Sequence, residues 1–324
     1  MIKRSMRLEY GKHLVEMGKK YPQLVVLEAD LKESTQSIQF QQAFPKRYLE
    51  VGVAEQNMVG IAAGLALSGK IPITHSFACF TSMRACEQIR TSVAYPKLNV
   101  KFLAAHGGLS AGSAGTTHHA IEDIAIMRSI PNVAVLAPGD INEMQQVIEA
   151  ALNYKGPVYI RLSAQEVGEV FGKNDKFTIG KANELRQGQD ATIITTGTAL
   201  HLGIEAADLL QKDNGIKCRV LQMASVKPID CPAIIRAAQE TDFLITVEEH
   251  NVIGGLGSAV CEVVSELGNT TVRRLGINDH FCGVGTHSYL MEEEGLSAGN
   301  IVKQVLSLAK KDEKKVKDNL LNIS

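Results

Sequence analysis

Glu55 stands at the head of a long apolar run, Gly52-Val53-Ala54-Glu55-Gln56-Asn57-Met58-Val59-Gly60-Ile61-Ala62-Ala63-Gly64-Leu65-Ala66, behind a short strand-like stretch from Arg47 to Val51. An acid at a strand-to-helix turn sits where helix N-termini favour anions and where open α/β sheets place ligands. As a plain first-turn acid it would complement the helix dipole by about 0.3–1 kcal/mol. The segment that follows has no polar face through Leu67, which predicts a helix buried on all sides. A carboxylate leading into such a helix is costly unless a specific group pairs with it, so Glu55 calls for a partner. Gly60 and Gly64 leave room for a second backbone or helix to approach.

A second chemical cluster is the glycine-rich stretch His106-Gly107-Gly108-Leu109-Ser110-Ala111-Gly112-Ser113-Ala114-Gly115-Thr116-Thr117-His118-His119. Placed between a strand and a helix, it offers backbone donors to an anion. His106 and His118 have no thiolate or carboxylate at ligand spacing, so no metal is assigned to this loop. Glu122 and Asp123 read as caps of the next helix. Phe77 and Phe80, taken alone, read as core residues, and Cys79 and Cys86 as small apolar filler.

These residues need elements to hold them. Short β-branched runs at Leu24 to Leu27, Ile71 to Thr74, Val100 to Leu103, Val133 to Leu136 and Val158 to Leu162 alternate with helix-like stretches at Ser82 to Ala94, Ile121 to Ser129 and Ile141 to Leu152. That alternation predicts βαβ units in a mainly parallel sheet. A second series follows at Ala191 to Thr195, Cys218 to Leu221, Phe243 to Val247 and Val272 to Leu275. With 324 residues the chain is long for one domain and comfortable for two. The reading is 1–170 for a first domain, 171–185 for a polar linker, 186–310 for a second domain and 311–324 for a charged, solvated tail.

A net charge of −1 without a basic stripe argues against nucleic acid as a partner. Six cysteines without a C-x-x-C pair read as reduced thiols. No apolar run is long enough to span a bilayer and Met1 to Arg7 lacks a signal core, so a cytoplasmic protein with no membrane partner is expected.

The Glu55 segment, followed by Phe77-Ala78-Cys79-Phe80 and Arg84-Ala85-Cys86-Glu87-Gln88-Ile89-Arg90, resembles the pyrimidine-binding half of thiamine diphosphate enzymes. The likeness to the transketolase family covers nearly the whole chain. It implies an α/β protein of two three-layer domains with mainly parallel sheets: a thiamine pyrimidine-binding domain and a transketolase C-terminal domain. In that family the acid at the Glu55 position hydrogen-bonds N1′ of the aminopyrimidine and drives the tautomer whose N4′ deprotonates the thiazolium; the cofactor carries the hard chemistry. The resemblance places Phe80 against the aminopyrimidine, Phe77 on the same wall and Asp30 near the cofactor. It assigns His118 to the substrate hydroxyl and oxyanion region, and His106, Arg7 and Ser34 to the substrate phosphate. Arg84 and Arg90 are left to brace the helix and the subunit interface, and Glu248 and His250 to interface or capping roles. The same helix also resembles 1-deoxyxylulose-5-phosphate synthase and the 2-oxoacid dehydrogenase E1 β subunit, and a non-catalytic scaffold is a further reading.

Three positions depart from the family. Ala114 stands where an acid reads a sugar hydroxyl, Ala164 where a second arginine holds phosphate, and Met83 where a tyrosine is expected. A neutral side chain cannot reproduce the bidentate fork of arginine. Arg161, three residues before Ala164, points to the opposite face if the strand is regular. These departures imply a ketose donor other than the common pentose phosphates, such as apulose 4-phosphate or a sulfo-sugar. The chain also lacks the Gly-Asp-Gly stretch that holds diphosphate through Mg²⁺ in these enzymes. The resemblance therefore implies a split enzyme: a separate N-terminal transketolase subunit carries the diphosphate, Mg²⁺ and further sugar contacts, in a dimer of heterodimers.

Overall fold

The computed structural model describes residues 3–321 apart from 174 and 269, with side chains through residue 310. Its larger sheet has seven strands in the order Ser225–Lys227, Ala134–Leu136, Val158–Arg161, Lys101–Ala105, Ile71–Phe77, Leu24–Glu28 and Tyr48–Glu50. All neighbours are parallel except the first pair. The central strands are buried on both faces, as parallel strands between two helical layers must be. Helices Met6–Lys20 and Ile141–Asn153 cover one face through Met6, Tyr10, Leu14, Met144 and Val147. Glu55–Leu67, Ile89–Ala94 and Asp123–Ser129 cover the other through Met58, Val59, Ile89, Val93 and Ile124.

The second sheet runs Thr271–Ile277, Phe243–Asn251, Ala191–Thr195, Cys218–Gln222 and Asn183–Arg186, with only the last strand antiparallel. Helices Ala199–Asn214 and Ala298–Leu321 pack on one face and Cys231–Glu240 and Leu256–Ser265 on the other. The mainly parallel α/β architecture expected from the alternating pattern is therefore present, and no helix among the described residues is long and apolar enough to cross a membrane.

Several local expectations change. The helix Glu55–Leu67 is not buried all round: Gln56, Asn57, Gly60, Gly64 and Leu67 form an exposed face, and nothing lies within 4 Å of a Cβ built on either glycine. The stretch from Ser82 to Ala94 is a broken helix, with π-helical turns at Phe80–Arg84 and Ile89–Ala94 around a short α turn. Asp123 does not cap its helix; it lies beneath it on Arg161 and Tyr159, and Glu122 makes no side-chain cap either. Strand Asn183–Arg186 begins inside the stretch read as linker, and the last helix carries the charged 311–321 segment; 322–324 lie outside the described residues.

The core also holds a titratable group. The Tyr10 hydroxyl donates to Nε2 of fully buried His75 at 2.6 Å, and Nδ1 donates weakly to the Leu27 carbonyl at 3.4 Å, which suits a neutral ring. Burial pushes the His75 pKa down to about 3. The unfolded chain then binds one more proton than the folded one between about pH 3 and 6.5, so stability falls as pH drops through that window. The His75→Asn variant is expected to lose about 1.6 kcal/mol less than the parent between pH 6.5 and 5, read by urea unfolding. An equal loss in both proteins would show that His75 already carries its proton in the fold.

Candidate active site

The carboxyl ends of three adjacent parallel strands, Leu24–Glu28, Ile71–Phe77 and Lys101–Ala105, deliver Asp30, Phe77 and His106 to one edge of the larger sheet. This is where open α/β sheets bind ligands. Asp30 and His106 both adopt a left-handed backbone, with φ of 59° and 57°, a conformation that non-glycine residues hold only when the surroundings enforce it. At Asp30 the enforcement is visible. Glu50 Oε1 accepts from the Asp30 amide at 2.9 Å, and buried Glu28 accepts from Thr35 and Ser37, which pins the turn carrying Ser34.

Glu55 opens its helix and is only 1% exposed. Its Oε1 accepts from the Ser76 hydroxyl at 2.9 Å and its Oε2 from Arg84 Nη1 at 2.8 Å. The partner that the buried acid requires is thus supplied by the chain itself. Arg84, expected from the sequence to be a brace, belongs to the site. Its guanidinium carbon lies 4.2 Å from the centroid of the Phe80 ring, so one planar cation touches both the acid and the aromatic wall.

The wall is built from four rings. Phe77 and Phe80 stack with centroids 5.9 Å apart, His106 lies 4.2 Å from Phe77, and His118 meets Phe77 and Phe80 edge-on at 5.9 and 5.3 Å. Arg7 joins them from the first turn of Met6–Lys20. Burial, then the charges of Arg7 and His118, hold the His106 pKa down at about 4, so this ring is neutral at physiological pH. Its Nδ1 and the Nε of Arg7 are buried without a hydrogen-bond partner in the chain. Both atoms are free to pair with a ligand group or with water. Glu55, Arg84, Phe80, Phe77, His118, His106 and Arg7 therefore form one connected cluster. Ser34 and Asp30 stand beside it, on neighbouring turns at the same sheet edge.

The glycine-rich loop is fastened mainly from the second sheet, an attachment with no counterpart among the sequence expectations. Glu249 Oε1 accepts from the Leu109 amide at 2.7 Å and from His287 Nε2 at 3.1 Å. A Cβ on Gly108 would fall 2.4 Å from that same oxygen, and φ is +64° there, so glycine is required. Arg161 is buried: its Nε binds Asp123 at 2.9 Å and its Nη2 reaches the Ala120 and Glu249 carbonyls. His119 Nε2 donates to the Gly112 carbonyl at 3.0 Å, and Ser110 Oγ accepts from the Ala164 amide at 3.3 Å. Glu248 takes the amides of Leu256 and Gly257, a capping role as expected, and His250 Nε2 accepts from the Ala125 amide. The one sequence signal for this brace is a charged residue inside the apolar strand Val158–Arg161. A cavity of about 910 Å³ lies elsewhere, beside Lys3, His201 and Glu205, and none of the candidate residues lines it.

A buried acid at a strand-to-helix turn, an aromatic wall and a braced glycine-rich loop converge at the carboxyl edge of the larger sheet, the place where open α/β proteins bind ligands. The chain belongs to the transketolase family: residues 3–169 match the transketolase pyrimidine binding domain and residues 180–301 the transketolase C-terminal domain. A putative transketolase C-terminal section from Methanocaldococcus jannaschii is 46% identical over 96% of this chain and 98% of that one. A 6-deoxy-6-sulfo-D-fructose transketolase subunit from Clostridium sp. (strain MSTE9) is 43% identical over 92% of both chains. An apulose-4-phosphate transketolase subunit from Phocaeicola vulgatus is 37% identical over 95% of this chain and 98% of that one. A solved structure described as a split gene transketolase, inactive beta4 tetramer, superposes with a TM-score of 0.86 at 43% identity, covering 94% of this chain and 98% of that one.

Proposed function

We propose that this chain is the aminopyrimidine-side subunit of a two-chain thiamine diphosphate transketolase that moves a two-carbon ketol unit from a ketose to an aldehyde. The observation that carries this reading is Glu55, a buried carboxylate whose two oxygens each take one hydrogen bond and keep one lone pair free. When bound, thiamine diphosphate supplies the nucleophilic carbon that carries the ketol unit. The residues present fit it: Glu55 holds the proton at N1′, Phe77 and Phe80 present a flat apolar wall, and Arg84 keeps the carboxylate oriented. His118 and His106 face the substrate side, His106 as a neutral hydrogen-bonding ring, and the unpaired Nε of Arg7 offers a donor for an anionic substituent. Asp30 and Ser34 complete the cofactor and substrate contacts at the same edge.

The diphosphate and Mg²⁺ belong in this reading to a separate N-terminal subunit. The sequence has no Gly-Asp-Gly stretch, and the exposed face of Glu55–Leu67 with Gly60 and Gly64 gives a partner chain a close approach. The inactive state named for the β4 neighbour agrees with a half-site. Two copies of each chain make a heterotetramer. Ala114 and Ala164 lie on or against the glycine-rich loop and offer no charge to a terminal phosphate, which favours a branched or sulfonated donor.

The test is reconstitution. Alone, the chain is expected neither to bind thiamine diphosphate tightly nor to turn over ketoses. With the N-terminal subunit and Mg²⁺ it is expected to transfer the ketol unit from apulose 4-phosphate or 6-deoxy-6-sulfofructose in preference to xylulose 5-phosphate. Turnover by the chain alone overturns the split; clear preference for xylulose 5-phosphate overturns the donor assignment only.

A further inference from the structure

Outside this site, three donors of different chemistry meet at one point in the second domain. His280 and Cys282 lie on the loop that leaves strand Thr271–Ile277, and Glu294 caps the C-terminus of helix His287–Glu293. One ligand atom from each lies within 4.8 Å of the others, and His280 Nε2 is 3.0 Å from Glu294 Oε1. Cys282 is buried, Glu294 is nearly so, and the His280 ring is half-exposed. A second acid lies within electrostatic reach of the thiol. Glu122 acts electrostatically on the Cys282 thiol, and its Oε2 is buried with no hydrogen-bond partner. Among the described residues no lysine or arginine forms an ion pair with Glu294 or Glu122. The cluster thus collects two carboxylates, a thiol and an imidazole without a fixed cation to balance them.

We propose that His280, Cys282 and Glu294 form a binding site for a divalent transition metal of the zinc class. The donor set decides the class: Mg²⁺ and Ca²⁺ take oxygen ligands, whereas mixed nitrogen, sulfur and oxygen donors suit Zn²⁺ or Co²⁺. Tetrahedral bonds of about 2.0–2.3 Å set ligand atoms roughly 3.3–3.8 Å apart, so the three side chains need only small rotations to close on an ion. The exposed side of His280 leaves the fourth position to water, and Glu122 supplies a negative field at the sulfur.

The place of the site gives it a task. Thr116 Oγ1, two residues before His118, donates to the Cys282 carbonyl at 3.0 Å. A Cβ on Gly115 would lie 3.0 Å from Val284, and one on Gly112 would lie 3.2 Å from the Gly285 carbonyl, so the loop carrying the metal donors packs directly on the loop carrying His118. An ion joining His280 and Cys282 to Glu294 ties this support to a helix end. The metal has a structural role, distinct from the Mg²⁺ that accompanies thiamine diphosphate.

The test uses the full chain, stripped with a chelator and dialysed. Titration with Co²⁺ is expected to give one equivalent of binding, with a near-ultraviolet thiolate-to-cobalt band and the visible bands of a tetrahedral ion. Zn²⁺ is expected to abolish both by displacement and to raise the thermal midpoint. C282S removes the thiolate band, H280A weakens binding at least tenfold, and C261S, at a thiol remote from the cluster, leaves the titration unchanged. Circular dichroism confirms that each variant is folded; should C282S fail to fold, H280A and E294Q carry the test. Absence of a thiolate band in the parent, or its persistence in C282S, overturns the proposal, as does unchanged Co²⁺ affinity in both H280A and E294Q.

Discussion

Glu55→Gln in the reconstituted two-chain enzyme is expected to lower kcat by about 10²–10⁴-fold, the range associated with removing a positioned acid–base group. The substitution keeps the shape of the side chain. The amide oxygen still accepts from Arg84 Nη1, and the amide nitrogen donates to the Ser76 hydroxyl, which turns to accept, so both existing contacts at 2.8 and 2.9 Å survive. What disappears is the ability to take and return a proton at the cofactor ring. The thermal midpoint and assembly with the N-terminal subunit are therefore expected to hold while turnover collapses. Steady-state rates with a ketose donor and an aldehyde acceptor, measured beside thermal melts, separate the two effects. A kcat reduced less than about tenfold would remove Glu55 from the catalytic role. The same experiment addresses the scaffold reading, since a scaffold has no activity to lose.

The largest stability effect is expected at Asp123. It is fully buried, receives Arg161 Nε at 2.9 and 3.2 Å on its two oxygens, and accepts from the Tyr159 hydroxyl at 2.7 Å. Asp123→Ala leaves a guanidinium in the interior without its counterion, which costs about 3–5 kcal/mol. That is a large share of the total for a native protein, about 5–15 kcal/mol. Removing both charges together, with Asp123→Ala and Arg161→Met, is expected to recover much of the loss, because an apolar replacement of a buried pair is often close to neutral. Urea unfolding of the parent, both single variants and the double variant gives the coupling directly. Additive losses would mean that the pair is not the source of the effect. Arg161 also holds the Ala120 and Glu249 carbonyls, so the single variants are expected to loosen the loop that presents His106 and His118.

Legibility differs between parts of the molecule for physical reasons. The alternating β-branched runs place the central strands to within a few residues, because parallel strands buried on both faces must be continuously apolar whatever packs on them. The strand Ser225–Lys227 leaves no such trace. It has three residues and no pattern of its own, and it exists because the edge of the larger sheet at Ala134–Leu136 offers it unpaired backbone. The apolarity of Glu55–Leu67 implies burial on all sides, whereas this chain leaves the Gly60 and Gly64 face open; composition does not fix which faces of a helix the fold covers.

The sequence by itself determined the class of fold, membership of the transketolase family, and the identity of the acid, phenylalanines and histidines at the sheet edge. Those are carried by residue type, strand period and a motif at a strand-to-helix turn. Only the tertiary structure decided what surrounds them. It seated Arg84 and Ser76 on Glu55, moved Asp123 from a helix cap to a buried ion pair, and brought Glu249 from the second sheet to hold the glycine-rich loop. It also placed His280 and Cys282 beside Glu294 across a helix. Such pairings join residues from 12 to 140 positions apart, and no local pattern specifies which buried donor will find which acceptor. That choice is made when the sheets pack and every buried polar group must be satisfied at once.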